Sequence, residues 1–115
     1  MNRESPLRVK FYISDTGNEP VRDWIKSFPE EYKKAVGNDI KTLQYGWPVG
    51  MPLAEKLCNG IWEVRTKIGN IIIRILFTLI NDEIVLLHGF IKKTRKTPKD
   101  DLDLAIQRMK QIKRR

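Results

Sequence analysis

Between Ile61 and Lys67 the side chains alternate, with Trp62, Val64 and Thr66 on one face and Glu63, Arg65 and Lys67 on the other, which is the period of a half-buried strand. Gly69-Asn70 then supplies a tight turn, because both residue types tolerate positive φ. Ile71 to Leu79 follows as a second strand, apolar apart from Arg74 and Thr78. With a two-residue loop, Ile68 faces Ile71, Lys67 faces Ile72, Thr66 faces Ile73, and Arg65 lies directly opposite Arg74. Like charges opposite one another weaken a strand pair by about 0.2–1 kcal/mol, so two arginines there ask for an anion. Asn81-Asp82 marks a second turn, and Glu83 to Phe90 is the returning strand. A two-residue loop sets His88 opposite Ile75 on the Trp62 face. A three-residue loop sets it opposite Leu76 on the arginine face, since a slip of one residue turns every side chain over. The sequence leaves the side of His88 open. Beyond Phe90 stands the densest basic cluster, Lys92-Lys93-Thr94-Arg95-Lys96.

Earlier in the chain, Leu7, Val9, Phe11 and Ile13 alternate with Arg8, Lys10, Tyr12 and Ser14, the pattern of a strand with one buried face. After a loop, Asn18 is placed to cap a short helix with Pro20 in its first turn. Val21, Trp24, Ile25 and Phe28 fall on one face of that helix. Pro29 restarts the chain as a second helix with the stripe Tyr32, Val36, Ile40 and Leu43, and Gly46 is positioned to end it. The stretch from Tyr45 to Pro52 is a loop rich in Gly and Pro that leads through Leu53 and Leu57 to the strand at Ile61. Thr97-Pro98-Lys99-Asp100 reads as a threonine N-cap, a first-turn proline and an acid three residues on. The stripe of the helix that follows is Leu102, Ala105, Ile106, Met109 and Ile112. The predicted order is β-α-α-β-β-β-α: an α+β fold with a small, mainly antiparallel sheet packed by helices, one domain over residues 1–115.

Charge narrows the partners. The 115 residues carry 22 Lys and Arg against 14 Asp and Glu, a formal net charge of +8 with a pI near 9.8. That balance favours a polyanion, most simply nucleic acid. A membrane partner is not expected: no apolar run approaches the roughly 20 residues of a spanning helix, and the first residues lack a signal-peptide core. The reading is therefore cytoplasmic. One cysteine, Cys58, and one histidine, His88, give neither an internal disulfide nor a zinc set. No metal or other cofactor is expected.

The phrases Leu57 to Arg65 (LCNGIWEVR), the strand around Arg74, and Leu86 to Pro98 (LLHGFIKKTRKTP) resemble the phage-derived HigB-like toxins of the RelE superfamily. The likeness runs from the first strand through the C-terminal helix. It implies a RelE-like single domain acting as the toxin of a type II toxin–antitoxin pair. Such a toxin is an endoribonuclease, or mRNA interferase, that cuts mRNA without a metal, commonly in the ribosomal A site. It further implies a cognate helix-turn-helix antitoxin and a basic cleft on the exposed concave face of the sheet. Matching by motif points to Arg65, Lys67, Arg74, Lys92, Lys93 and Arg95. One stretch departs from the family pattern: where several RelE-type toxins carry an aromatic residue near the start of the C-terminal helix, this chain has Lys-Thr-Pro-Lys-Asp-Asp.

The residue types suit that chemistry. Attack of a ribose 2′-OH on the adjacent phosphate builds extra negative charge, which fixed cations stabilise more in the transition state than in the ground state. Arginine does so bidentately and stays charged when half-buried. The expected catalytic residues are Arg65, Arg74, Lys93 and His88, with Lys67, Lys92, Arg95 and Lys96 binding RNA; none of them is marked as the general base. The bland readings stand beside these: Arg65 paired with Glu63 or Glu83, the basic run a solvated loop, His88 hydrogen-bonded beside the core, and the tryptophans packing. A non-cleaving RNA- or ribosome-binding module is the alternative function.

Overall fold

Both hairpins take the turns that their residues favour, and a fifth strand extends the sheet. In the computed structural model, which describes residues 5–50, 52–91 and 96–115, the chain runs β1 (Arg8–Phe11), α1 (Pro20–Lys26), α2 (Glu30–Gly46), β2 (Ala54–Cys58), β3 (Ile61–Ile68), β4 (Ile71–Ile80), β5 (Glu83–Ile91), α3 (Lys99–Lys113). The strand order is β1-β5-β4-β3-β2. Only β1 with β5 is parallel; the other pairs are antiparallel. The β3–β4 register is the one that the Gly69-Asn70 turn dictates, with Arg65 opposite Arg74 and Ile68 opposite Ile71. Strand β2 is the addition. Its residues, Ala-Glu-Lys-Leu-Cys, are weak strand formers, and it exists by pairing along the edge of β3, from Ala54 opposite Val64 to Cys58 opposite Ile61, with a bulge near Lys56.

Helices cover both faces of the sheet. On one side α1 lies over β5 and α2 over β3, and Val21, Val36 and Leu43 meet Val64, Ile73, Ile75, Phe77, Ile84 and Leu86. On the other, Ala105 and Met109 of α3 pack on Ile61, Leu76, Val85 and Leu87. A central strand covered twice has no polar face to keep, hence the nearly unbroken apolar run of β4. Trp24 approaches β5 so closely that a Cβ on Gly89 would stand 2.1 Å from its ring. Trp47 packs edge-on against Trp62 and Phe77, at centroid distances of 5.4 and 5.7 Å.

Local departures from the sequence reading follow from this double cover. The alternation of β1 stops at Phe11: Tyr12 is buried on the α3 side, its hydroxyl donating to Gln111, while Ile13 is exposed. Glu19 rather than Asn18 is the N-cap of α1, and Pro98 rather than Thr97 that of α3. The Thr97 hydroxyl is used elsewhere. In β5 the turn at Asn81-Asp82 has two residues, both at positive φ (50° and 61°), as a type I′ turn requires, yet His88 pairs with Leu76. A bulge reconciles the two, because Phe77 pairs with Leu86 and the next pair is Leu76 with His88, which leaves Leu87 as the extra residue. His88 is thereby turned onto the arginine face.

Candidate functional site

Two rows of side chains on the α3 side of the sheet organise the site. One runs Glu63–Leu76–His88 across β3, β4 and β5, and the next runs Arg65–Arg74–Phe90. The chain entering α3 crosses the first row at both ends. The Thr97 hydroxyl donates to Glu63 Oε1 at 2.8 Å, and Asp101 Oδ1 lies 2.6 Å from His88 Nε2. The expected open concave face is therefore roofed by α3 along this row, while Arg65 and Lys67 at the end of β3 stay accessible. The reason lies in the apolar stripe of α3, which needs Ile61, Leu76 and Leu87 beneath it.

The anion demanded by the arginine pair is Glu63. Its side chain is 0% exposed and Arg74's is 2%. Arg65 Nε donates to Glu63 Oε2 at 2.8 Å, and Arg74 Nη1 stands 3.7 Å from Glu63 Oε1. Arg65 Nη2 also donates to Glu55 Oε2 of β2 at 2.5 Å. Two carboxylates thus hold the Nε–Nη2 edge of the Arg65 guanidinium. Removing one of the two fully buried members, Glu63 or Arg74, leaves the other less compensated, at a cost of about 3–5 kcal/mol. Charge-assisted bonds of this kind fix orientation as well as energy.

Beside Arg65 opens a cleft of about 480 Å³ lined by Asp39, Pro52, Leu53, Arg65, Lys67 and Ile72. It exists because β2 starts only at Ala54. The Leu53 carbonyl still accepts the Arg65 N–H at 2.9 Å, and past that point no described strand flanks β3 on this side. Pro52, Leu53 and Ile72 give the cleft apolar walls, Arg65 and Lys67 give it two cations, and Asp39 of α2 a carboxylate. The arrangement suits an anion attached to an apolar, flat group.

The structure brings Arg65 and Arg74 together around Glu63 and sets Lys67, which is exposed, at the cleft. Arg74 meets Glu63 from inside the protein rather than solvent. His88 lies two strands from Glu63, about 10 Å, with its ring stacked on Phe90 at 5.8 Å. It lines a smaller cavity with Trp24, Gly89 and Arg108 and is not part of the Arg65 cleft. Lys96 is exposed. Lys92, Lys93 and Arg95 lie outside the described residues. Glu55, Thr97 and Asp101 were missed as partners of the site. Glu55 comes from the unforeseen strand, and the other two meet the sheet only through the docking of α3.

Two perturbed groups stand apart from the cleft. Burial lowers the pKa of Arg108, whose Nη1 donates to the Leu87 carbonyl at 2.7 Å on the outer edge of β5. Asp15 is held below the usual carboxylate range by hydrogen bonds from Arg115 and Gln111. Among the described residues no three of His, Cys, Asp and Glu stand where they could hold a metal ion, and no helix is long and apolar enough to cross a membrane.

Fold and site together define an α+β protein that offers an anion a cationic cleft at the open end of a helix-covered sheet. Residues 23–110 match the family model of the phage-derived Gp49-like proteins (DUF891). The chain belongs to that family, which is associated with toxin–antitoxin systems. No curated protein matches it.

Proposed function

We propose that this protein is a HigB-like toxin of the RelE superfamily, an endoribonuclease that cuts mRNA in the cytoplasm, in association with the ribosome, and is restrained by a helix-turn-helix antitoxin. The observation that carries this reading is the Arg65–Lys67 cleft, which lies inside the stretch matched to a toxin-associated family. A net charge of +8 adds the long-range attraction for a polyanion. In the reaction, the 2′-OH attacks the adjacent phosphorus, a 2′,3′-cyclic phosphate forms, and the 5′ oxygen leaves as a hydroxyl. Arg65 meets the non-bridging oxygens, where charge grows most in the pentacovalent transition state, and Lys67 with Lys92, Arg95 and Lys96 tracks the flanking phosphates. Proton transfer to the leaving oxygen is assigned to Lys93, since His88 lies outside the Arg65 cleft. Arg74 acts from within, through Glu63. The residues so assigned supply the charge and the protons, and no metal enters the scheme.

Mapping the 5′ ends of cellular mRNA after a short pulse of expression tests this reading. Discrete new ends within coding sequence, absent from an Arg65→Ala strain, are the expected result. Arrested translation on intact messages would instead make the protein a binder that blocks the ribosome.

A further inference from the structure

The most unusual side chain in the molecule is Glu63, a carboxylate without solvent exposure placed where the strand alternation would put a surface residue. Three groups from three elements converge on it: Arg65 Nε of β3 at 2.8 Å, Arg74 Nη1 of β4 at 3.7 Å and the Thr97 hydroxyl ahead of α3 at 2.8 Å. A carboxylate serving only as counterion to Arg74 would need neither of the other two. The contact with Arg65 takes the inner Nε donor and leaves Nη1, at the other end of the guanidinium, without a hydrogen bond among the described residues. The contact with Thr97 ties the sheet to the residue that directly follows the basic cluster.

We infer that Glu63 is the positioning residue of the cleft: it aims the Arg65 guanidinium at the bound phosphate and anchors, through Thr97, the entry to α3 beside Lys96. This rests on the ribonuclease reading for the identity of the ligand, but not for the hold on Arg65. Glu63 touches no substrate, and its effect passes through the groups that it fixes.

Charge and position predict opposite results for Glu63→Gln. The substitution raises the net charge from +8 to +9, so a merely electrostatic role predicts tighter binding of RNA. A positioning role predicts weaker binding, by about tenfold for the loss of one charge-assisted hydrogen bond. The probe is a short 2′-O-methyl RNA, which binds but lacks the attacking hydroxyl. The second readout needs no RNA: hydrogen exchange of the arginine side-chain Nε–H groups by NMR. Arg65 Nε–H should be protected in the wild type and fast in Glu63→Gln, while backbone amides of β4 stay protected. Should loss of the carboxylate charge beside Arg74 unfold that variant, Glu63→Gln with Arg74→Met removes both buried charges together, and the same two losses are expected. Thr97→Val should weaken RNA binding and leave Arg65 Nε–H protected. Unchanged Arg65 protection, or tighter RNA binding, in a folded Glu63 variant would overturn the inference. A wild type that binds no RNA would end the ribonuclease reading, and the exchange comparison would still decide what Glu63 does.

Discussion

Arg65 and Arg74 face each other across one strand pair and have different fates, decided by depth. Arg65 is 21% exposed and reaches the cleft, whereas Arg74 is buried beside Glu63 at 2% exposure. Their alanine variants should therefore separate two kinds of loss. On the proposed ribonuclease function, Arg65→Ala should keep most of the stability, since water can reach the space left by a side chain 21% exposed, and lose about a hundred- to thousandfold in cleavage rate, by analogy with the loss of a transition-state hydrogen-bond donor. Arg74→Ala should first destabilise the fold, by about 3–5 kcal/mol, because it takes a fully buried cation from beside the Glu63 carboxylate and leaves Arg65 as that carboxylate's remaining ion pair among the described residues. Chemical denaturation of both variants, set beside growth inhibition on expression, makes the comparison. Full stability in Arg74→Ala would show that Arg65 and Thr97 suffice to hold the Glu63 carboxylate. Full toxicity in Arg65→Ala would reduce its bonds to Glu63 and Glu55 to a structural salt bridge.

Among the elements, β5 is where packing overrules local pattern. The Leu87 bulge lets a two-residue turn coexist with His88 on the α3 side, and it presents Gly89 to Trp24 on the other. Helix α1 can lie on β5 only because residue 89 lacks a side chain. Gly89→Ala should cost about 1–3 kcal/mol, the usual penalty of overpacking, and Trp24→Leu in the same chain should recover part of it. Urea titration of the two single variants and the double closes the cycle; additive losses would mean that Trp24 simply moves aside. At the start of α3, Thr97–Glu63 and Asp101–His88 act together as a clamp. Thr97, which reads in the sequence as an N-cap, is thus spent on holding a helix to a sheet.

Across the whole molecule, the two ends of the chain are joined near Tyr12. Asp15 accepts from Gln111 at 2.7 Å and from Arg115 at 2.9 Å, and the Arg108 and Arg115 guanidiniums lie over the Tyr12 ring at 4.9 and 5.9 Å. Because the folded state lowers the pKa of Asp15 below 3.8, its link contributes stability above that pH, and the contribution fades as pH falls through the lower folded value. Amide exchange at residues 14–18 and 111–115 should accelerate in that acid window before the sheet opens. Asp15→Asn should show the same loosening at neutral pH. Equal protection of these ends in the variant would mean that Tyr12 and the arginines suffice without the carboxylate. The site lies at the far end of α3, so neutral-pH cleavage should be unaffected.

Periodicity and turn chemistry are local, and they were enough for much of this protein. Gly69-Asn70 fixed the pairing of Arg65 with Arg74 before any helix was placed, and the stripes of α1, α2 and α3 named the residues that now fill the two cores. The charge balance pointed to a polyanion, and the motif from Leu57 to Pro98 to a family associated with toxin–antitoxin systems. What the tertiary structure decided was non-local. Whether Ala54–Cys58 is a strand depends on the free edge of β3, since its own residues hardly favour one. The side of His88 turned on a bulge with no signature in the turn residues. Arg74 reads in sequence as a lone charge seeking an outside anion. One partner is Glu63, on the neighbouring strand, and the pair is buried in the folded protein. Burial is a property of what lies above a residue, and the alternation of a strand records only which face it is on.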